Sequence, residues 1–132
     1  MGTNYKTPNR HDVGGKYLDL NYKKLLERQY TSLLKDAEHY GLTLYGDGAT
    51  VKKMPLINIL ASGAHLTTAV LDIMDCSKHM CKGGKKDAVY IAELFLPHLM
   101  KLDPEMKHVD LFYFDGATNV QKAGQILCAS YP

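Results

Sequence analysis

Two aspartates stand where this sequence could do chemistry. Each opens the same tetrapeptide. Asp47-Gly48-Ala49-Thr50 follows the apolar run Leu42-Thr43-Leu44-Tyr45, and Asp115-Gly116-Ala117-Thr118 follows Val109-Asp110-Leu111-Phe112-Tyr113-Phe114. In both places a strand-like segment runs straight into an aspartate and then a tight turn. A carboxylate at the end of a buried strand sits at a sheet edge, partly desolvated, where it can hold a divalent metal. Two such strands side by side would aim two carboxylates at one ion. Taken singly, each Asp-Gly is ordinary turn chemistry, because glycine tolerates positive φ and aspartate caps turns. The identical repeat, each copy after its own apolar run, favours the paired site.

Two other clusters carry reactive residue types. Asp75-Cys76-Ser77-Lys78-His79-Met80-Cys81 brings Cys, His and Cys close together. A structural zinc site takes four ligands in two separated pairs. Here there is one cluster and a distant Cys128, so an ordinary loop is the plainer reading. Lys82-Gly83-Gly84-Lys85-Lys86 is basic, interrupted by glycine, and precedes a helix start. Backbone amides, the helix dipole and Lys82, Lys85 and Lys86 could together contact DNA phosphates. The segment lacks Walker spacing, and a solvated loop is the alternative. His65, His98 and His108 have no partner legible in the sequence.

The elements that must position these residues belong to one chain of 132 residues, enough for one domain and one core. Hydrophobic residues make up 45% and charged residues 23%, and the net charge of +2 argues neither for nor against nucleic acid. No apolar run is long enough to span a membrane, and the polar N-terminus does not read as a secretory signal. Three cysteines without framework spacing fit a reduced, intracellular protein.

Residues 1–20 read as an extended lead-in and 21–132 as the domain. Tyr22, Leu25, Leu26, Leu33, Leu34, Ala37 and Tyr40 recur at helical spacing, and Gly41 is a plausible stop. Strands are expected over 42–45, 55–61 and 65–73, close enough for an antiparallel meander, with a turn or hairpin over 51–54. Residues 75–86 read as a loop. Asp87 reads as the N-cap of a helix whose stripe is Tyr90, Ile91, Leu94, Phe95, Leu99 and Leu102, with a kink or break at Pro97. A fourth strand is expected over 109–114, then a last helix capped by Asn119. The order is a helix, then β-β-β-α-β-α. The crossover helix lets the fourth strand return beside the first, in parallel. The expected class is α/β, with a mixed sheet ordered 3-2-1-4.

These strands and strings resemble a known group. The β-β-β-α-β order is the opening of the RNase H-like fold. Tyr5-Lys6-Thr7-Pro8-Asn9-Arg10, Leu44-Tyr45-Gly46-Asp47-Gly48-Ala49-Thr50 and Lys53-Met54-Pro55-Leu56-Ile57-Asn58 come first. Lys78-His79-Met80, Gly83-Gly84-Lys85-Lys86-Asp87-Ala88, Phe114-Asp115-Gly116-Ala117-Thr118-Asn119 and Lys122-Ala123-Gly124 follow. As an ordered set they resemble the N-terminal part of the catalytic core of hAT-superfamily transposases. The resemblance implies DNA as partner, a nuclear location, and strand transfer by two aspartates and a later glutamate holding Mg²⁺ or Mn²⁺. Asp47 would be the first aspartate and Asp115 the second. Ala49 stands where the family commonly has an aromatic residue. A fifth strand and the glutamate-bearing helix follow this point in the family but not in these 132 residues, and Glu93 and Glu105 precede the second aspartate. The resemblance therefore implies a truncated RNase H-like fold, weak or absent metal binding and no activity alone. It also implies an exposed sheet edge open to self-association. The alternative is a non-catalytic, transposon-derived nucleic-acid or protein interaction domain. A haloacid-dehalogenase-type phosphatase is disfavoured, because Tyr45 occupies the place of its nucleophilic aspartate.

Overall fold

The computed structural model describes residues 6–65, 68–115 and 118–130. A four-stranded sheet is built from β1 (Leu42–Val51), β2 (Met54–Ser62), β3 (Ala69–Asp75) and β4 (Val109–Phe114). Its order is β3-β2-β1-β4. β1 pairs antiparallel with β2 and parallel with β4, and β2 pairs antiparallel with β3. This is the expected α/β arrangement. Among the described residues five helices complete it: α1 (Arg10–Gly14), α2 (Lys16–Tyr40), α3 (Ser77–Cys81), α4 (Ala88–Leu102) and α5 (Thr118–Ser130).

Alternation along the strands sorts the sheet into two unlike faces. Leu44, Ile57, Ile59 and Ala61 are buried, and with Phe112 and Phe114 they pack toward α4 and α5. Phe95, at the centre of α4, is fully buried and meets Phe114 edge to face at 5.3 Å. Leu33 and Ala37 bring the C-terminal half of α2 into the same core. On the opposite face Val70, Ile73, Leu111 and Tyr113 are all exposed, with Tyr45 and Leu60 half-buried between them.

Two joints hold the parallel pair in place. Gly41 ends α2 at φ 78° and lets the chain turn directly into β1. At the other joint Asp103 is fully buried after α4. Its carboxylate accepts the N–H groups of Lys107, His108 and Val109, so one charged side chain satisfies the turn that starts β4. The Leu42 N–H then donates to the His108 carbonyl at 2.8 Å, joining the two strand starts.

Several local expectations are corrected. Residues 1–20 are not all extended: Asn9 caps α1 by accepting the Asp12 N–H, and α2 begins at Lys16. This early stretch is helical without burial, as the exposure of Tyr17, Leu18, Tyr22 and Leu25 shows. The first Asp-Gly is strand rather than turn. β1 runs on to Val51, and the reversal is made by Lys52 and Lys53, at φ 48° and 67°. β3 starts at Ala69 rather than at His65, and Leu66 and Thr67 lie outside the described residues. The 75–86 loop contains the short helix α3. Asp87 does cap α4 by accepting the Tyr90 N–H, but α4 continues through Pro97 to Leu102. Pro97 is exposed, whereas Leu99 and Leu102 beyond it are buried and hold the helix to the core. Asn119 lies inside α5, not at its cap.

Candidate functional site

Asp47 and Asp115 come to the same end of the sheet. The last parallel pair of β1 and β4 is Gly46 with Phe114. Each aspartate is one residue beyond it. The Asp115 N–H still donates to the Gly46 carbonyl, at 3.4 Å, so the two chains remain side by side at this step. Asp47 is itself fixed on its other side, paired with Asn58 of β2.

The Asp47 side chain belongs to the row Asp47, Asn58, Ile73 on the open face, because Gly46 and Gly48 take the helix face. Both aspartates are exposed, so the partial desolvation expected of them is absent. The reason is the open face: among the described residues no helix covers this end of it.

Two oxygen-donor residues just beyond the last β1–β4 pair suit a hard divalent ion of the magnesium type, which keeps several of its waters. Among the described residues no group of three or more His, Cys, Asp or Glu side chains is placed to hold a metal ion. The pair is therefore a half-site in donor count.

The basic segment divides. Lys82 and Lys85 are exposed. Lys86 is half-buried, and its ammonium donates to the Leu56 carbonyl at 3.0 Å. Asn119 of α5 in turn donates to the Lys86 carbonyl at 3.1 Å. The structure thus separates Lys86 from the other two, which remain available to a backbone phosphate. His79 braces the loop from inside. Its ring stacks on Tyr90 at 3.6 Å, and its Nε2 donates to the Lys85 carbonyl at 2.9 Å.

The cysteine cluster does not assemble. Cys76 is buried, with its thiol directed at the Met74 carbonyl, whereas Cys81 and Cys128 are exposed. Burial, then hydrogen bonding to Cys76 and the charges of Cys76 and Asp75, hold the Tyr90 phenol above its usual range. Ser77 donates twice to Asp75 and holds that carboxyl below the usual carboxylate range.

Two partnerships were invisible in the sequence. Asp36, buried on α2, accepts both the backbone N–H of His65 at 2.9 Å and its ring Nδ1–H at 2.7 Å, tying the end of α2 to the β2–β3 connection. His98 on α4 pairs with Asp72 on β3 at 3.3 Å. Separations of 29 and 26 residues leave no local signal. A buried acid on an otherwise apolar helix face, Asp36 beside Leu33 and Ala37, was the one available hint.

On the helix face, close to the same strand end, lies a cleft of about 280 Å³. Gly46 and Gly48 form its floor, Ile57, Ile91 and Phe95 its walls, and Lys86 stands among its lining residues.

No helix among the described residues is long and apolar enough to cross a membrane. No family model matches this chain, and neither a curated protein nor a solved structure matches it.

Proposed function

We propose that this chain carries part of an RNase H-like core of the hAT transposase type, with Asp47 and Asp115 as its first two metal-binding carboxylates. One observation carries the reading. β1 and β4 are parallel neighbours, and the two aspartates follow their last paired residues at one end of the sheet. The ordered resemblance over the rest of the sequence supplies the class of substrate, DNA, and with it a nuclear location.

Asp47 and Asp115 would hold Mg²⁺ or Mn²⁺, with Lys82 and Lys85 offering charge to a phosphate backbone. Such an ion activates water or a 3′-hydroxyl for in-line attack on phosphate. The chain's own part is to hold Asp47 within β1 and to place Asp115 just past β4, with its N–H on the Gly46 carbonyl. With two carboxylates, affinity is weak, about millimolar, and this pair by itself does not cut DNA.

Manganese titration followed by amide NMR tests this. Broadening is expected around residues 46–48 and 115, saturating near millimolar Mn²⁺, and lost in both Asp47→Asn and Asp115→Asn. Duplex DNA stays intact throughout. Absence of broadening at both aspartates sinks the metal pair. Metal-dependent nicking that Asp47→Asn abolishes shows instead a complete enzyme.

A non-catalytic interaction domain is the second reading. The open sheet face favours it, since Val70, Ile73, Leu111 and Tyr113 form an exposed apolar surface on otherwise ordinary strands.

A further inference from the structure

The cleft on the helix face adjoins Asp47 but opens on the other side of β1. It lies over β1 on the side where Gly46 and Gly48 project no side chain; Asp47 between them also borders it, although alternation turns its side chain to the other face.

The two glycines are alike in backbone and unlike in surroundings. A Cβ on Gly46 would meet the Phe114 ring at 2.5 Å and the tip of Phe95 at 2.8 Å. Aromatic rings already lie on that bare stretch of strand. A Cβ on Gly48 would meet nothing within 4 Å among the described residues. Neither glycine has positive φ, so backbone conformation does not require glycine at 48. Packing does not require it either. The absence of a side chain at 48 leaves room for something to approach the strand backbone closely.

The walls say what. Ile57 on β2, Ile91 and Phe95 on α4, and Val120 on α5 give an apolar slot beside that strip of peptide. It offers a ring the kind of seat that Phe95 and Phe114 take at Gly46. Lys86 is the only side-chain cation among the lining residues. Its ammonium has three N–H donors, and its one hydrogen bond is to the Leu56 carbonyl. Among the described residues it forms no ion pair. Asp47 also borders the cleft, but it forms no ion pair with Lys86, so this half-buried lysine beside an apolar slot calls for an anion from outside the chain.

We propose that this cleft binds a small aromatic anion, the ring over Gly48 and the anionic group on Lys86. The anion is a carboxylate or a phosphate, and the ring of a nucleotide is one such source. The proposal does not depend on the metal pair.

Amide NMR titration with indole-3-acetate and with thymidine 5′-monophosphate tests it. Indole and inorganic phosphate serve as the two half-ligands. Saturable shifts are expected at Gly48, Ile57 and Ile91, with at least one ring-bearing anion binding about tenfold tighter than either half alone. The stronger of the two probes identifies the source, carboxylate or nucleotide. Lys86→Met should weaken the anion about tenfold and leave indole unchanged. Gly48→Val suits a strand and fills the slot, so it should abolish ring binding in a protein that still folds. Lys35→Ala, on the exposed side of α2, should change nothing. The proposal falls if neither ring-bearing anion gives saturable shifts at the cleft. It also falls if Lys86→Met or Gly48→Val binds the better anion as the wild type does. Failure of manganese to broaden Asp47 and Asp115 would leave it standing.

Discussion

The two copies of the tetrapeptide Asp-Gly-Ala-Thr place their first and last residues differently; Gly116 and Ala117 lie outside the described residues. Residues 47–50 are all strand, paired in register with Asn58, Ile57, Leu56 and Pro55 of β2. In the second copy Asp115 has already left β4, and Thr118 is the first residue of α5. The difference is not in the four residues. The first copy has a partner strand delivered by the hairpin at Lys52-Lys53. The second follows an edge strand that pairs with β1 alone in the described sheet, and a helix-forming stretch comes next. Asp-Gly ends a strand only where no neighbour continues the ladder. What the copies share is the position of the aspartate, one residue past the last parallel pair. Tertiary pairing, not local preference, makes the two aspartates equivalent.

The largest effect on this comparison should come from Asp103. Its buried carboxylate satisfies three backbone N–H groups at the start of β4, and among the described residues no equivalent side chain supports the start of β1. Asp103→Ala should destabilise the protein by about 3 kcal/mol, since charge-assisted hydrogen bonds are lost and buried donors are left unpaired. Chemical denaturation measures the loss. Hydrogen exchange should show it concentrated in residues 109–115, while 54–60 stay protected. Uniform loss of protection would mean that the two copies are supported together, and the contrast drawn between them would fail.

Next in size is the contrast between the glycines that flank Asp47. Gly46→Ala should cost about 1–3 kcal/mol, because the added methyl runs into Phe114 and Phe95 inside a packed core. Gly48→Ala should be neutral or should stabilise by up to about 1 kcal/mol, since the site is open and the unfolded chain loses freedom. The two melting curves decide. Equal shifts would show that the space over Gly48 is filled, and the argument for a bound ring would fall with it.

The fold was legible where local chemistry and tertiary structure agree. β4 has the bounds of its apolar run, Gly41 stops α2, Asp87 caps α4, and the crossover dictated the 3-2-1-4 order. It was illegible where a distant partner overrides a local signal. Asp47-Gly48 reads as a turn until β2 is laid beside it. Pro97 reads as a break until Leu99 and Leu102 are seen to be buried. Lys82, Lys85 and Lys86 read as one patch, yet only Lys86 reaches the Leu56 carbonyl, thirty residues away. Of the candidate site, the two aspartates were visible as a repeat. The cleft was not, because its floor is two glycines and a glycine's surroundings leave no trace in the sequence.

The smallest effect lies in the hairpin that keeps the first copy extended. Lys52 and Lys53 both have positive φ, which is strained for residues with a Cβ and is the geometry of a type I′ turn. Asn-Gly is the sequence that this turn favours. Replacing Lys52-Lys53 by Asn-Gly should therefore stabilise the protein by about 1 kcal/mol. The gain should be local. The β1–β2 ladder would begin from a relaxed turn, so the amides of residues 47–51 should exchange more slowly. The Asp115 amide, which depends on β4, should be unchanged. If pairing with β2 is what makes the first tetrapeptide a strand, tightening the hairpin must act on that copy alone. Slower exchange at Asp115 as well would show that the two strand ends move as one unit, so that the hairpin also helps to set where the second aspartate stands.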